Sequence, residues 1–269
     1  MGRHRWKANL DQLCRNLEEY GTTTSPAGPR PSTAGAVRLS DSLYLANSAS
    51  DKNFSAICAG GYLTSAALLG KSLSPDCPEV ILETAGSVFF YVSPFRYPST
   101  GCGLLFAHSL ELHHDDDGVA TPFDSGGLLK KLIRRNPAES PQEFLSRHEL
   151  PIPEHRRYLR QSMDTLFHRP EDYVEGSHPR WPGPIGLDGG DQRRWTHEVR
   201  IPDRVLVRSS HLQAAFAPRA RVVANPAVEG LFQWCATEGV DHISFDTPRG
   251  DDFEALRREC LAYIRRKLY

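Results

Sequence analysis

The run Val88-Phe89-Phe90-Tyr91-Val92, closed by Pro94, commits this chain to a β-sheet. Every residue in it is aromatic or β-branched, a composition that loses rotamer freedom in a helix and packs well on a pleated surface. A sheet needs further strands, and the candidates are all short: Ser42 to Ala46, Gly103 to Ala107, Glu198 to Ile201, Val205 to Val207, Arg221 to Val223 and His242 to Phe245. The run at Gly103 to Ala107 is expected to pair with Val88 to Val92 across the turn at Pro98 to Gly101. From Asp124 to about Tyr173 the apolar spacing turns helical, first at Leu128, Leu129, Leu132 and Ile133, then at Tyr158, Leu159, Met163 and Leu166. The expected class is therefore α+β, with a helical insertion at about 124–173 between two groups of strands.

Shorter signals complete the plan. Leu10, Leu13 and Leu17 mark a helix over residues 7–20, and a Thr/Ser/Pro/Gly linker follows to Gly35. The expected division is 1–36 for the N-terminal helix and linker, and 37–269 for the folded body. Within that body, Asn53 to Ala59 reads as a short helix stopped by Gly60-Gly61, and Phe253, Leu256, Cys260 and Ile264 mark a terminal amphipathic helix.

With 269 residues and 39% hydrophobic content, the chain can bury the core of one large domain. Lys plus Arg (32) nearly cancels Asp plus Glu (33), so net charge points to neither a nucleic-acid nor a membrane surface. The six cysteines form no CxxC pair, which argues for reduced thiols rather than a zinc ribbon or a disulfide scaffold. No apolar h-region follows the basic start and no run approaches membrane-spanning length, so a cytoplasmic protein is expected.

The segment Trp195 to Pro202 carries one carboxylate directly after a long Gly/Pro loop, Gly176 to Gly190, itself a candidate active-site loop. By the period-2 rule, Trp195, His197, Val199 and Ile201 share one face, and Thr196, Glu198 and Arg200 the other. Two readings stand: an edge strand with a solvated polar face, or a glutamate fixed on a rigid strand against a reacting centre. Rival chemistry lies in His108, His113 and His114 with Asp115-Asp116-Asp117, which could bind a divalent metal and give a hydrolase. Cys102 with His108 could form a thiol-imidazole pair, against which stands a buried structural cysteine. Thr121 to Gly127 reads as a turn followed by a helix N-cap at Asp124 or Ser125.

In order and content, three segments resemble the ADP-ribosyltransferase fold superfamily, including its nucleic-acid-modifying branch. They are Leu43-Tyr44-Leu45-Ala46-Asn47-Ser48 with Phe54, Ile57 and Gly61-Tyr62-Leu63; Phe90-Tyr91-Val92-Ser93; and Glu198 on its strand. The resemblance covers about half the chain. The resemblance implies two small, mostly antiparallel sheets forming a cleft, NAD as substrate, and Glu198 as the catalytic carboxylate. It also implies cofactor contacts from Tyr91, Ser93 and, on the first strand, Asn47; Arg96, just beyond the second strand, has the fork geometry for a pyrophosphate. The acceptor is a nucleic acid or a protein. Two positions depart from the pattern. Leu45 stands where members reading Leu-Tyr-His carry an imidazole, so Asn47, two residues on and on the same face, is the polar group left. Thr196 stands where arginine-modifying members carry Gln or Glu, which argues against an arginine target. A non-catalytic binding protein on the same fold remains the alternative to the enzyme.

Overall fold

The computed structural model describes residues 2–24, 43–92, 101–135, 138–167, 170–175, 192–247 and 252–268. In chain order these form α1 (Gly2–Thr24), β1 (Leu45–Ala49), α2 (Asp51–Gly60), β2 (Tyr62–Thr64), α3 (Pro78–Ile81), β3 (Ser87–Val92), β4 (Cys102–Phe106), α4 (Ser109–Leu112) and β5 (Val119–Thr121). There follow α5 (Ser125–Arg135), α6 (Pro141–His148), β6 (Leu150–Pro151), α7 (Ile152–Leu166), α8 (Pro170–Glu175), β7 (Glu198–Pro202), β8 (Arg204–Leu206) and β9 (Leu212–Pro218). Last come α9 (Arg219–Ala224), α10 (Pro226–Glu238), β10 (Asp241–Phe245) and α11 (Asp252–Leu268).

The class is mixed α and β with mostly antiparallel pairing. The strands divide unequally, into an eight-stranded sheet of order β10-β9-β4-β1-β3-β7-β5-β6 and a two-stranded sheet of β2 and β8. Among the described residues, only β9 and β10 pair in parallel. That pair is bridged by α9 and α10, the crossover that parallel strands require. Asn225 caps α10 by accepting from the Ala227 and Val228 amides, Pro226 opens it, and Gly239 closes it in the left-handed region at φ 71°.

Two sequence expectations give way. The runs at β3 and β4 do not form a hairpin, because β1 pairs with both and lies between them. Local turn signals set which strands follow one another, whereas the order in a sheet is set by non-local packing. Residues Arg221 to Val223 are helical, in α9. β9 already ends at Pro218, and the few residues before the Asn225 cap reverse the chain; Val223 is left 79% exposed and Arg221 ion-pairs with Asp51.

The main core runs along the sheet through Phe90, Phe106, Val199, Ile201, Ala214 and Phe216, all of which are buried. Phe90 and Phe106 meet edge to face at 5.6 Å between ring centroids, and burying each such side chain contributes about 1.5–3 kcal/mol. Helix α1 carries its leucine stripe, Leu10, Leu13 and Leu17, against Leu150 and Tyr158. Among the described residues, no helix is long and apolar enough to cross a membrane. The six cysteines are free.

One irregularity positions the site. β1 pairs with β4 along Leu45 to Ala49 and β3 pairs with β7 along Ser87 to Tyr91, but among the described residues β1 and β3 pair only at Leu45 with Val92 and Ala46 with Tyr91. From Asn47 onward the two strands diverge and a cleft opens between them. The Asn47 side chain spans the divergence, donating from Nδ2 to the Phe89 carbonyl at 2.9 Å, so that one carbonyl deprived of a ladder partner is satisfied.

Candidate active site

β7 lies inside the sheet, between β3 and β5, with Tyr91 and Thr121 in register on either side of Glu198. The solvated-edge reading of this strand is therefore replaced by a fully covered one: Thr196, Glu198 and Arg200 are all buried, Glu198 at 0% exposure. Over Glu198 lies the start of α5, which is far away in sequence. Ser125, its first residue, donates from Oγ to Glu198 Oε1 at 2.7 Å across 73 positions of chain. Arg200 places Nε 3.6 Å from the same oxygen, beyond hydrogen-bond range, and gives its Nη2 to Glu149 at 2.7 Å, so it acts on Glu198 through its field. The other carboxylate oxygen, Oε2, has no hydrogen-bond partner among the described residues.

Burial dominates the electrostatics of this group. Loss of hydration pushes the Glu198 carboxyl up to about 7 and the nearby Asp124 charge adds to the rise, while Arg200 and the bonds from Ser125 oppose it. The result is an acid that titrates near neutrality, with one oxygen clamped and one unpartnered, a pattern frequent where carboxylates do chemistry.

Asp124 is itself committed as the cap of α5. Its carboxylate accepts from the Gly127 amide at 2.7 Å, and its own amide donates to the Arg193 carbonyl at 2.9 Å. Gly127 has no space for a side chain, since an added Cβ would collide with the Asp124 carboxylate and stand 2.6 Å from Arg193 Cδ. Gly127→Ala is accordingly expected to displace the cap and lower stability by about 1–3 kcal/mol, the usual range for overpacking. Thermal unfolding measures it, and an unchanged midpoint would show that the cap relaxes freely.

The cleft between β1 and β3 has a volume of about 340 Å³, near the lower end of the roughly 300–1,000 Å³ typical of small-molecule sites. Asn47 and Ser48 line it from β1, Phe89 and Tyr91 from β3, and Glu198 from β7. Ser125, Gly126 and Gly127 close one side, and Pro78, Glu79, Leu82 and Thr84 another. Three residues singled out from the sequence, Asn47, Tyr91 and Glu198, thus meet at one cleft. Ser93, Arg96 and the Gly176 to Gly190 loop lie outside the described residues. Leu45 does not line the cleft; it is 1% exposed and packs in the core between Val92 and Phe106. Sequence reasoning misses Ser125 as the partner of Glu198, and Thr84 and Glu79 altogether. The Asp124-Ser125-Gly126-Gly127 cap signal marks the place, but only the fold says what it covers.

The rival constellations are engaged elsewhere. His108 Nδ1 pairs with Glu111 at 2.5 Å, His114 Nδ1 with Asp117 at 3.0 Å, and the His113 ring packs against His114 and His211. Among the described residues, no group of three or more His, Cys, Asp or Glu side chains is placed to hold a metal ion. Cys102 lies 3.7 Å from Asp51 Oδ1, and burial pushes its thiol up to about 12, which leaves it protonated and unreactive at neutral pH.

No family model and no curated protein matches the chain. Among solved structures it is similar to DarT of Thermus sp. 2.9 in complex with NAD+ (11% identity, 78% of this chain and 96% of that chain covered, TM-score 0.40). The same protein in complex with carba-NAD+ aligns at 12% identity, 75% and 94% coverage and a TM-score of 0.41. In complex with ADP-ribosylated ssDNA it aligns at 11% identity, 78% and 95% coverage and a TM-score of 0.42.

Proposed function

We propose that the chain is an NAD-consuming ADP-ribosyltransferase in which Glu198 is the catalytic carboxylate. The observation that carries this reading is a fully buried glutamate on a central strand, with one oxygen held by Ser125 and the other unpartnered, at a cleft of small-molecule size. Cleaving the bond between nicotinamide and ribose leaves positive charge on the sugar, as glycoside cleavage does, and a fixed carboxylate in a low-dielectric site favours that cation. Nicotinamide departs neutral with the bonding electron pair, and an acceptor nucleophile then bonds to the sugar carbon and loses its proton.

Each neighbour has a part in this scheme. Ser125 fixes the rotamer of Glu198, so no reorganisation is needed as charge develops. The Arg200 field favours the ionised form. Tyr91, in register with Glu198, offers a ring face to the nicotinamide, and Asn47, its Nδ2 spent on Phe89, offers Oδ1 to a ribose hydroxyl. Ser93 and Arg96 are proposed as the further cofactor contacts, and the acceptor as a nucleic acid or a protein.

Because the reaction needs the carboxylate, kcat/KM for nicotinamide release is expected to rise with pH and level off above an apparent pKa of about 7. Incubating the protein with NAD and with single-stranded oligonucleotide or protein acceptors, and following nicotinamide across pH, tests the reading. No release with any acceptor at alkaline pH, with NAD still binding, would make this a binding protein instead.

A further inference from the structure

The turn that leads into β3 carries two adjacent unfavourable features. Glu83 adopts a left-handed backbone at φ 58°, a region that residues with side chains occupy at a cost. Next to it Thr84 is 6% exposed, and its Oγ1 has no hydrogen-bond partner among the described residues. Buried hydroxyls are nearly always bonded; among the described residues Tyr158 Oη and Ser209 Oγ also lack a partner, but of these three Thr84 alone lines the cleft. The turn is nonetheless firmly built: the Thr84 amide donates to the Glu79 carbonyl at 2.8 Å, and the Ser87 amide donates to the Thr84 carbonyl at 3.0 Å. Backbone strain thus delivers an unsatisfied hydroxyl to the lining of the same cleft that Glu198 lines.

Resting on the NAD reading, we propose that Thr84 Oγ1 is a ligand-binding group that hydrogen-bonds a neutral donor-acceptor on the substrate, a carboxamide or a sugar hydroxyl. The surroundings exclude an anionic partner. Glu79 and Glu198 bring two carboxylates to the cleft, Pro78 and Leu82 add apolar surface, and no Lys, Arg or His is among its described lining residues, so a phosphate against Thr84 would meet like charge. A hydroxyl is suited to the task because it donates and accepts at once.

Thr84→Val keeps the shape and removes the hydroxyl, and Thr84→Ser keeps the hydroxyl. Melting temperature and affinity are to be measured for both variants and the wild type, without ligand and with NAD, nicotinamide or ADP-ribose. Without ligand, Thr84→Val is expected to melt at the wild-type temperature or above it, since no internal bond is lost. Its affinity for NAD is expected to fall about 2- to 10-fold, the range for one neutral hydrogen bond, with Thr84→Ser close to wild type. A fall confined to nicotinamide assigns the carboxamide, and one confined to ADP-ribose assigns a sugar hydroxyl; either supports the proposal. A lower melting temperature for ligand-free Thr84→Val, or unchanged affinity for all three ligands, overturns it. If none of the three binds the wild type, the NAD reading itself fails, and this assignment with it.

Discussion

Glu198→Gln is expected to lower nicotinamide release from NAD by about 10²- to 10³-fold, the scale on which removing one preorganised electrostatic stabiliser acts. Gln is isosteric, and its carbonyl oxygen can accept the Ser125 hydroxyl as Glu198 Oε1 does at 2.7 Å, so the cleft is expected to keep its shape. What disappears is the negative charge at the unpartnered oxygen. The same substitution is expected to leave a separate mark on stability. The folded carboxyl is raised from 4.5 to about 7, so the folded state holds this proton more tightly than the unfolded one. Its contribution to stability is complete below pH 4.5 and is lost as pH rises through 7. A neutral amide has no such dependence, and the variant should gain on the wild type over that window. Nicotinamide assays and urea midpoints at a series of pH values would show both effects. A variant that folds normally and releases nicotinamide at the wild-type rate would remove Glu198 from the mechanism.

The residue just before the same strand, His197, is expected to make the fold labile to acid. His197 Nδ1 and His155 Nε2 lie 2.9 Å apart, both rings are enclosed, and Tyr158 and Tyr173 pack against His197. One nitrogen must donate and the other accept, so at most one ring can carry a charge, and burial disfavours even that. Burial, joined for His155 by the neighbouring His197, brings both imidazoles down from 6.5 to about 3. In the unfolded chain both take up protons near their ordinary pKa; in the folded protein neither does until about pH 3. Stability is therefore complete above pH 6.5 and is lost as pH falls through that window. Lowering a pKa by one corresponds to about 1.36 kcal/mol, so the two groups together amount to several kcal/mol, against a typical total of about 5–15. Between pH 7 and 4.5 Glu198 works in the other direction, so the limb is cleanest in the Glu198→Gln background. Replacing both imidazoles, as His155→Leu with His197→Phe, should flatten the fall between about pH 6.5 and 5, above the range where ordinary carboxylates titrate. An equally steep fall in that double variant would place the acid sensitivity elsewhere.

These two residues also show how far the sequence can be read. Period-2 alternation assigns His197 and Glu198 to opposite faces of one strand, and the aromatic, β-branched run correctly marks β3. What alternation cannot give is the environment of each face. Thr196, Glu198 and Arg200 have the pattern of a half-solvated strand, yet all three are buried: Ser125, 73 positions from Glu198, bonds it from the start of α5, and Glu149 pairs with Arg200. For the same reason Ser125 is legible as part of a helix start but not as the clamp on Glu198. In sequence, Leu45 reads as a departure that weakens the site. The register instead sends it into the core, and Asn47 takes the place at the cleft because β1 and β3 have already parted. Thr84 leaves no mark in composition or periodicity, since its burial and the φ of Glu83 follow from how the turn before β3 is packed.

The parting of β1 from β3 bears on how the protein admits a guest. Through it the eight strands become two leaves, β10-β9-β4-β1 and β3-β7-β5-β6, joined among the described residues by the pairs of Leu45 with Val92 and Ala46 with Tyr91 and by one asparagine clasp. A molecule entering between the leaves severs no rung, because those rungs were forgone when the chain folded. The gap is a built-in vestibule, with a whole ladder on either side of it.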